Sequence, residues 1–149
     1  MAFIQSIRKP TDQVPFVYNI DHPVGLHCLN KRLDVMMVQV LLFANQRGLE
    51  FNVGSLDEKQ TIALGPLEPN GMFDNRTLAW IFHYQLVTYG RDAAMITGRV
   101  VPLPGLGLPP TGGMLADLNV NVLQIWPEFR DVTKAPLPPE LAAALKVRK

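Results

Sequence analysis

Residues 71–85 read GMFDNRTLAWIFHYQ. A helix begins inside this stretch. Asp74 stands where an N-cap is expected, its carboxylate able to accept from free backbone N–H groups of the first turn. From Asn75 to Tyr89 the spacing predicts a helix, followed by Gly90. Thr77, Trp80, Ile81 and Tyr84 fall on one stripe, and Leu78, Phe82 and Tyr89 on another. Two polar groups interrupt these faces, the hydroxyl of Thr77 and the carboxamide of Gln85. A buried amide must find partners, so either the packing of this helix or a ligand needs them.

A second helical pattern lies upstream, from about Lys31 to Arg47, with Gly48 at the position of a left-handed C-terminal cap. Val35, Val38, Gln39 and Leu42 share one side; Met36, Val40 and Phe43 a second; Met37, Leu41 and Ala44 a third. A helix apolar nearly all round must be buried nearly all round. Two helices cannot cover each other completely, so the rest of the chain, or a partner protein, has to cover the surplus. Between them, SLDEKQTIAL suits a helical turn capped by Ser55 or Asp57, and GPLEPNG closes the connection as a turn-rich stretch.

The flanks divide from this centre by composition. Residues 1–23 hold FVYNI between Pro15 and Asp21-His22-Pro23 and read as an extended arm. Residues 99–114, RVVPLPGLGLPPTGGM, carry four prolines and four glycines. Regular structure should stop there, and the aliphatic residues point to a strap laid on the helical pair, over Met36, Val40, Phe43, Leu78 or Phe82. For MLADLNVNVLQIWPEF, periodicity alone does not choose between a strand and a short helix. PPELAAALKVRK reads as a C-terminal helix from Pro139, its basic residues placed at the negative end of the dipole. No segment of about 20 to 50 residues repeats along the chain.

The 149 residues suffice to bury a core. Fourteen basic and 13 acidic side chains leave a net charge of +1, without the basic excess expected of a nucleic-acid binder. No apolar run is long enough to span a membrane. The first residues, MAFIQSIRKPTDQ, lack a signal-peptide core, which suggests a cytoplasmic protein, one exported to the bacterial envelope by a non-classical route, or one whose signal has been removed. Cys28 is the single cysteine, so the fold does not depend on an internal disulfide.

Gly71-x-Phe73-x-x-x-Thr77-x-x-Trp80-Ile81-x-x-Tyr84-Gln85 resembles the second-helix signature of peptidoglycan-binding-like domains, G-x-F-G-x-x-T-x-x-A-V-x-x-F-Q. Val24-Gly25, Asn30, Asp34-Val35, Val38-Gln39 and Leu42 are similar to the family's first helix and its approach. Ile96-Thr97-Gly98-Arg99-Val100 is similar to the turn before the third helix. Here Trp80 stands in place of Ala, Asp74 in place of Gly and Thr97 in place of Asp. The resemblance implies a mainly α fold, a small three-helix bundle over residues 24–101, with the third helix lost or supplied by residues 115–126. The arm of residues 1–23 and the Pro/Gly-rich strap and C-terminal segment of residues 102–149 would flank it. It also implies a non-catalytic module that binds bacterial cell-wall peptidoglycan, in a phage, secretion or cell-envelope system.

Val35, Val38, Gln39, Gly71, Phe73, Thr77, Ile81, Tyr84 and Gln85 are then motif residues. Gln39 and Gln85 are expected to tie loop backbone to the helices, and Phe73 to plug the core. The candidate ligand surface is the turn GPLEPNGMFDNRT, where Asn70, Asp74, Asn75 and Arg76 suit amides, hydroxyls and carboxylates. Capping chemistry is the competing reading of the same residues. Other chemistry finds little support. His22, His27, Cys28 and His83 lack a metal-site spacing. Asp21, His27 and Cys28 lack the surroundings of a cysteine nucleophile, so a core cysteine is expected. GLGLPPTGG does not follow a strand and open a helix as a phosphate loop requires. Neither an enzyme nor a cofactor is indicated. The alternative is a protein–protein interaction component, such as an adaptor, accessory or immunity-type protein, docking through apolar helix faces.

Overall fold

The computed structural model describes residues 1–7, 10–51, 67–90, 92–104 and 113–148, with backbone alone over 47–51. The expected turn in SLDEKQTIAL and the centre of the Pro/Gly-rich strap lie outside the described residues. The protein is mainly helical: α1 (Arg32–Phe51), α2 (Asn75–Tyr89), α3 (Met114–Ile125) and the short α4 (Pro139–Ala144). Five short strands accompany them: β1 (Phe3–Gln5), β2 (Val17–Asn19), β3 (Val24–Gly25), β4 (Arg99–Val100) and β5 (Val147–Arg148).

α1 is the central element, and every residue from Asp34 to Leu42 is buried. Its all-round apolar sequence is matched by cover on every side. α2, α3 and α4 all pack on it, and β3 crosses its approach. On α2 the buried stripe is Thr77, Trp80, Ile81, Tyr84 and Gln85, as the periodicity predicts. Phe73 lies half-buried against the same core. α1 does not stop at Gly48; its backbone remains helical to Phe51. Glycine is only about 1 kcal/mol worse than alanine in a helix interior, so one glycine does not end a helix whose preceding turns are fixed by packing.

Residues 114–125, ambiguous by periodicity, are helical. Met114, Leu115, Leu118, Val122 and Leu123 are buried, and α3 packs along α1. The surplus apolar surface of α1 is therefore covered from within the chain. Trp126, just beyond α3, donates its indole N–H to the Ala44 carbonyl at 2.8 Å.

The termini depart most from expectation. The N-terminal arm is no lone extension: β1 pairs antiparallel with β2 and parallel with β5, in the order β2-β1-β5. The C-terminal helix ends at Ala144, and Val147–Arg148 forms a strand. Lys146 and Arg148 thus accept backbone bonds from β1, Lys146 O from Ile4 N and Arg148 O from Ser6 N, each at 2.9 Å. Arg148 also forks onto Asp21 (2.6 and 3.0 Å) and stacks on the Phe3 ring. The outer edge of β2 is closed by a side chain. Asn119 of α3, fully buried, accepts from Tyr18 N at 2.7 Å and donates to Tyr18 O at 2.8 Å. One carboxamide stands in for a neighbouring strand.

Two outcomes check this packing. Replacing Ile81, which is fully buried, by Asp places an unpaired charge in the core. The expected cost is about 4 kcal/mol or more by chemical denaturation. Asn119→Leu keeps the volume but orphans both polar groups of Tyr18, and should cost about 2–5 kcal/mol.

Candidate functional site

The polar residues of the two helices converge on loops. Gln39 of α1 accepts from Gly71 N at 2.8 Å and donates to Met72 O and Thr77 Oγ1, both at 3.0 Å. Gln85 of α2 accepts from Gly98 N at 2.9 Å and donates to Arg99 O at 3.0 Å, with Thr97 Oγ1 at 3.5 Å. The two arrangements match group for group: a glycine N–H, a carbonyl one residue on, and a threonine hydroxyl. Both glycines have positive φ, +77° at Gly71 and +69° at Gly98, a region other residues seldom adopt. A Cβ at Gly71 would lie 2.9 Å from the Arg32 carbonyl, and one at Gly98 would lie 2.7 Å from the Phe82 ring. Each glutamine therefore fixes a loop that only glycine can make.

The amide of Gln85 thereby brings residues 97–100 beside the start of the domain. β4 pairs antiparallel with β3, Val100 opposite Val24, and Leu26 N donates to Gly98 O at 3.0 Å. Val24–Gly25, α1, the 70–77 turn, α2 and the 97–100 turn form one connected frame. A signal for it was present in the sequence. Gly25, Val35 and Gln39 recur at one constant offset as Gly71, Ile81 and Gln85. The pattern is too sparse to read as a repeat, because only residues that fix turns and helix contacts are retained.

Of the four candidate ligand residues, two are committed to the turn. Asn70 Oδ1 accepts from Met72 N at 2.9 Å and from Gln39 Nε2 at 3.3 Å. Asp74 caps α2, accepting from Thr77 N at 2.8 Å and Thr77 Oγ1 at 2.9 Å. The bond from the Thr77 backbone holds its carboxyl below the ordinary value. Asn75 and Arg76 are exposed on the first turn of α2, beside Met72, which is 58% exposed. This is a polar surface with an apolar neighbour on a rigid turn.

Other chemistry-bearing residues are mostly spent on the fold. Asp34, fully buried at the start of α1, lies 2.9 Å from the Met1 amino group and 3.1 Å from His22 Nδ1. It also accepts from the backbone N–H groups of Asp21 and His22. Asp21 is held at about 2, chiefly by its bonds to Arg148. Tyr89 donates to Asp117, joining α2 to α3, and burial raises both Tyr89 and Tyr84 above the ordinary phenol value. Cys28 is not in the core. It sits partly exposed in the 26–30 turn, because the chain there doubles back on Gly25 rather than entering the interior. Among the described residues no three His, Cys, Asp or Glu side chains converge as a metal site would need.

One concavity of about 230 Å³ lies between α1 and the segment after α3. Its walls are Val40, Phe43, Ala44, Pro69, Trp126, Phe129 and Pro136, with Glu128 at the edge. No motif announces it, since its walls come from three separated segments. No protein-family model, no curated protein and no solved structure matches the chain.

Gln39→Leu should cost about 2–4 kcal/mol, because it orphans the Gly71 N–H and the Met72 carbonyl; urea denaturation would measure it. Asn75→Ala should stay within about 0.5 kcal/mol of the parent. A pH dependence follows from His83, whose ring packs edge-on to Trp80. Burial depresses its pKa from the ordinary 6.5, so the unfolded chain binds the proton more readily. Stability from this group is present above about pH 6.5 and is lost as pH falls through the depressed value. His83→Phe should flatten that limb in melts taken against pH.

Proposed function

We propose that residues 24–101 are the core of a non-catalytic binding module of the peptidoglycan-binding-like kind, with the 70–76 turn as its recognition surface. The observation that carries this reading is the pair of glutamine clamps. The residues through which the sequence resembles that family, Gly71, Thr77, Gln39 and Gln85, are the ones that fix the loops around α2.

Asn75 and Arg76 are the residues proposed to meet ligand, Asn70 and Asp74 to shape the turn that presents them. An amide and a guanidinium on a preformed turn suit the hydroxyls, acetamides and carboxylates of peptidoglycan sugars and stem peptides. A chain of this kind would serve as an adaptor or as a component of a phage, secretion or envelope system.

A second reading rests on a different observation, the apolar concavity bounded by Phe43, Trp126 and Phe129. An exposed apolar recess of that kind suits a protein partner, so the same frame would serve a protein–protein interaction component.

Sedimentation with purified insoluble peptidoglycan at about 0.15 M salt separates the two. The module reading expects the protein in the pellet, and the double variant Asn75→Ala/Arg76→Ala in the supernatant while it still melts cooperatively. Wild-type protein left wholly in the supernatant removes the module reading and leaves the interaction component.

A further inference from the structure

The turn between β3 and α1, residues 26–31, reads LHCLNK, and it is both rigid and outward-facing. Asn30 holds it from inside: its Oδ1 accepts from Gly25 N at 2.8 Å, and its Nδ2 donates to Gly25 O at 3.0 Å and Cys28 O at 3.1 Å. His27 and Asn30 are the two non-glycine residues with positive φ among the described residues. Such backbone persists only where its surroundings over-determine it. Arg99 braces the turn from β4, its Nε donating to Leu26 O at 2.9 Å.

A turn so tightly held would be expected to tuck its leucines inward. Instead Leu29 is 66% exposed and Leu26 36% exposed, with Val101, just past β4, at 55%. Lys31, His27 and Arg99 are exposed around them. Residues 22–33 and 96–104, which build this end of the molecule, hold no Asp or Glu. The acids near this end are otherwise engaged: Glu140 with Arg32, Asp21 with Arg148, and Asp34 buried. Exposed aliphatic side chains thus share these two segments with the exposed cations Lys31 and Arg99, while the chain as a whole carries a net charge of only +1.

We propose that this turn is an interfacial anchor that seats the protein on an anionic lipid surface. Leu29, Leu26 and Val101 would enter the boundary between head groups and acyl chains, and Lys31 and Arg99 would face the phosphates. Shallow insertion combined with basic residues is the two-signal arrangement that gives reversible peripheral binding. The charge of Lys31 and Arg99 complements an anionic surface. Because the turn is already fixed, little ordering is lost on binding. The proposal is independent of the wall-binding reading, which rests on Asn75 and Arg76 of the neighbouring 70–76 turn.

The test is co-sedimentation of the full chain with vesicles of phosphatidylcholine alone and with about 30 mol % phosphatidylserine. Binding is expected to the anionic vesicles only, and to fall when salt is raised from about 0.1 to 0.5 M. Leu29→Ser should lower binding about tenfold, and Lys31→Glu should lower it by a similar factor. Because both side chains are exposed, the melting temperatures should match the parent. Wild-type protein that ignores anionic vesicles overturns the proposal and makes an acidic protein the occupant to seek. Binding that is unchanged in Leu29→Ser also overturns it, since basic residues alone would then account for the attraction.

Discussion

Two buried carboxamides set the shape of this protein. Gln39 and Gln85 each hold a glycine N–H, a backbone carbonyl and a threonine hydroxyl. Buried loop backbone has no water to bond, and each orphaned group costs about 1–3 kcal/mol. Against a total folding stability of about 5–15 kcal/mol, either glutamine decides whether its loop can lie on the core at all. Because the loops lie there, α2 crosses α1 at the level of Thr77, and β4 reaches β3. Everything placed by those contacts, including the exposed turns, depends on two side chains that a hydropathy plot scores as misplaced.

The same device recurs outside the frame. Among the described residues β2 has no strand on its outer side, and Asn119 supplies one donor and one acceptor to Tyr18 in place of a strand. Asp34 gathers the backbone N–H groups of Asp21 and His22. In each case a short polar side chain on a helix satisfies backbone groups of a neighbouring segment, so that an arm or turn can be buried without a strand beside it. The ion pairs of the surface contribute less. Arg32 and Glu140 are both more than half-exposed or close to it, and pairs of that kind are worth at most about 1 kcal/mol.

How far the sequence led is best judged element by element. α1 and α2 were legible because their apolar residues keep helical period and their polar exceptions are spaced as a known motif. The N-cap at Asp74 was legible because capping is local chemistry. α3 was not, since a short apolar run reads equally as strand or helix until its partners are known. β1 and β5 were missed for a related reason. They are three and two residues long, and β5 becomes a strand only because β1, at the far end of the chain, offers it an edge. Gly48 misled because a residue that often ends helices is tolerated where the preceding turns are already fixed by packing.

The candidate site was legible in composition but not in role. Asn70, Asp74, Asn75 and Arg76 are neighbours of similar polarity, and beyond the cap at Asp74 no rule applied to the sequence separates them. Geometry does. An Asn or Asp whose oxygen faces a free backbone N–H two or three residues on satisfies the turn itself, as Asn70 does with Met72 and Asp74 with Thr77. A ligand competing for those oxygens would have to unmake the turn that presents it. The proposed contact is therefore assigned to Asn75 and Arg76, whose side chains are exposed on the first turn of α2.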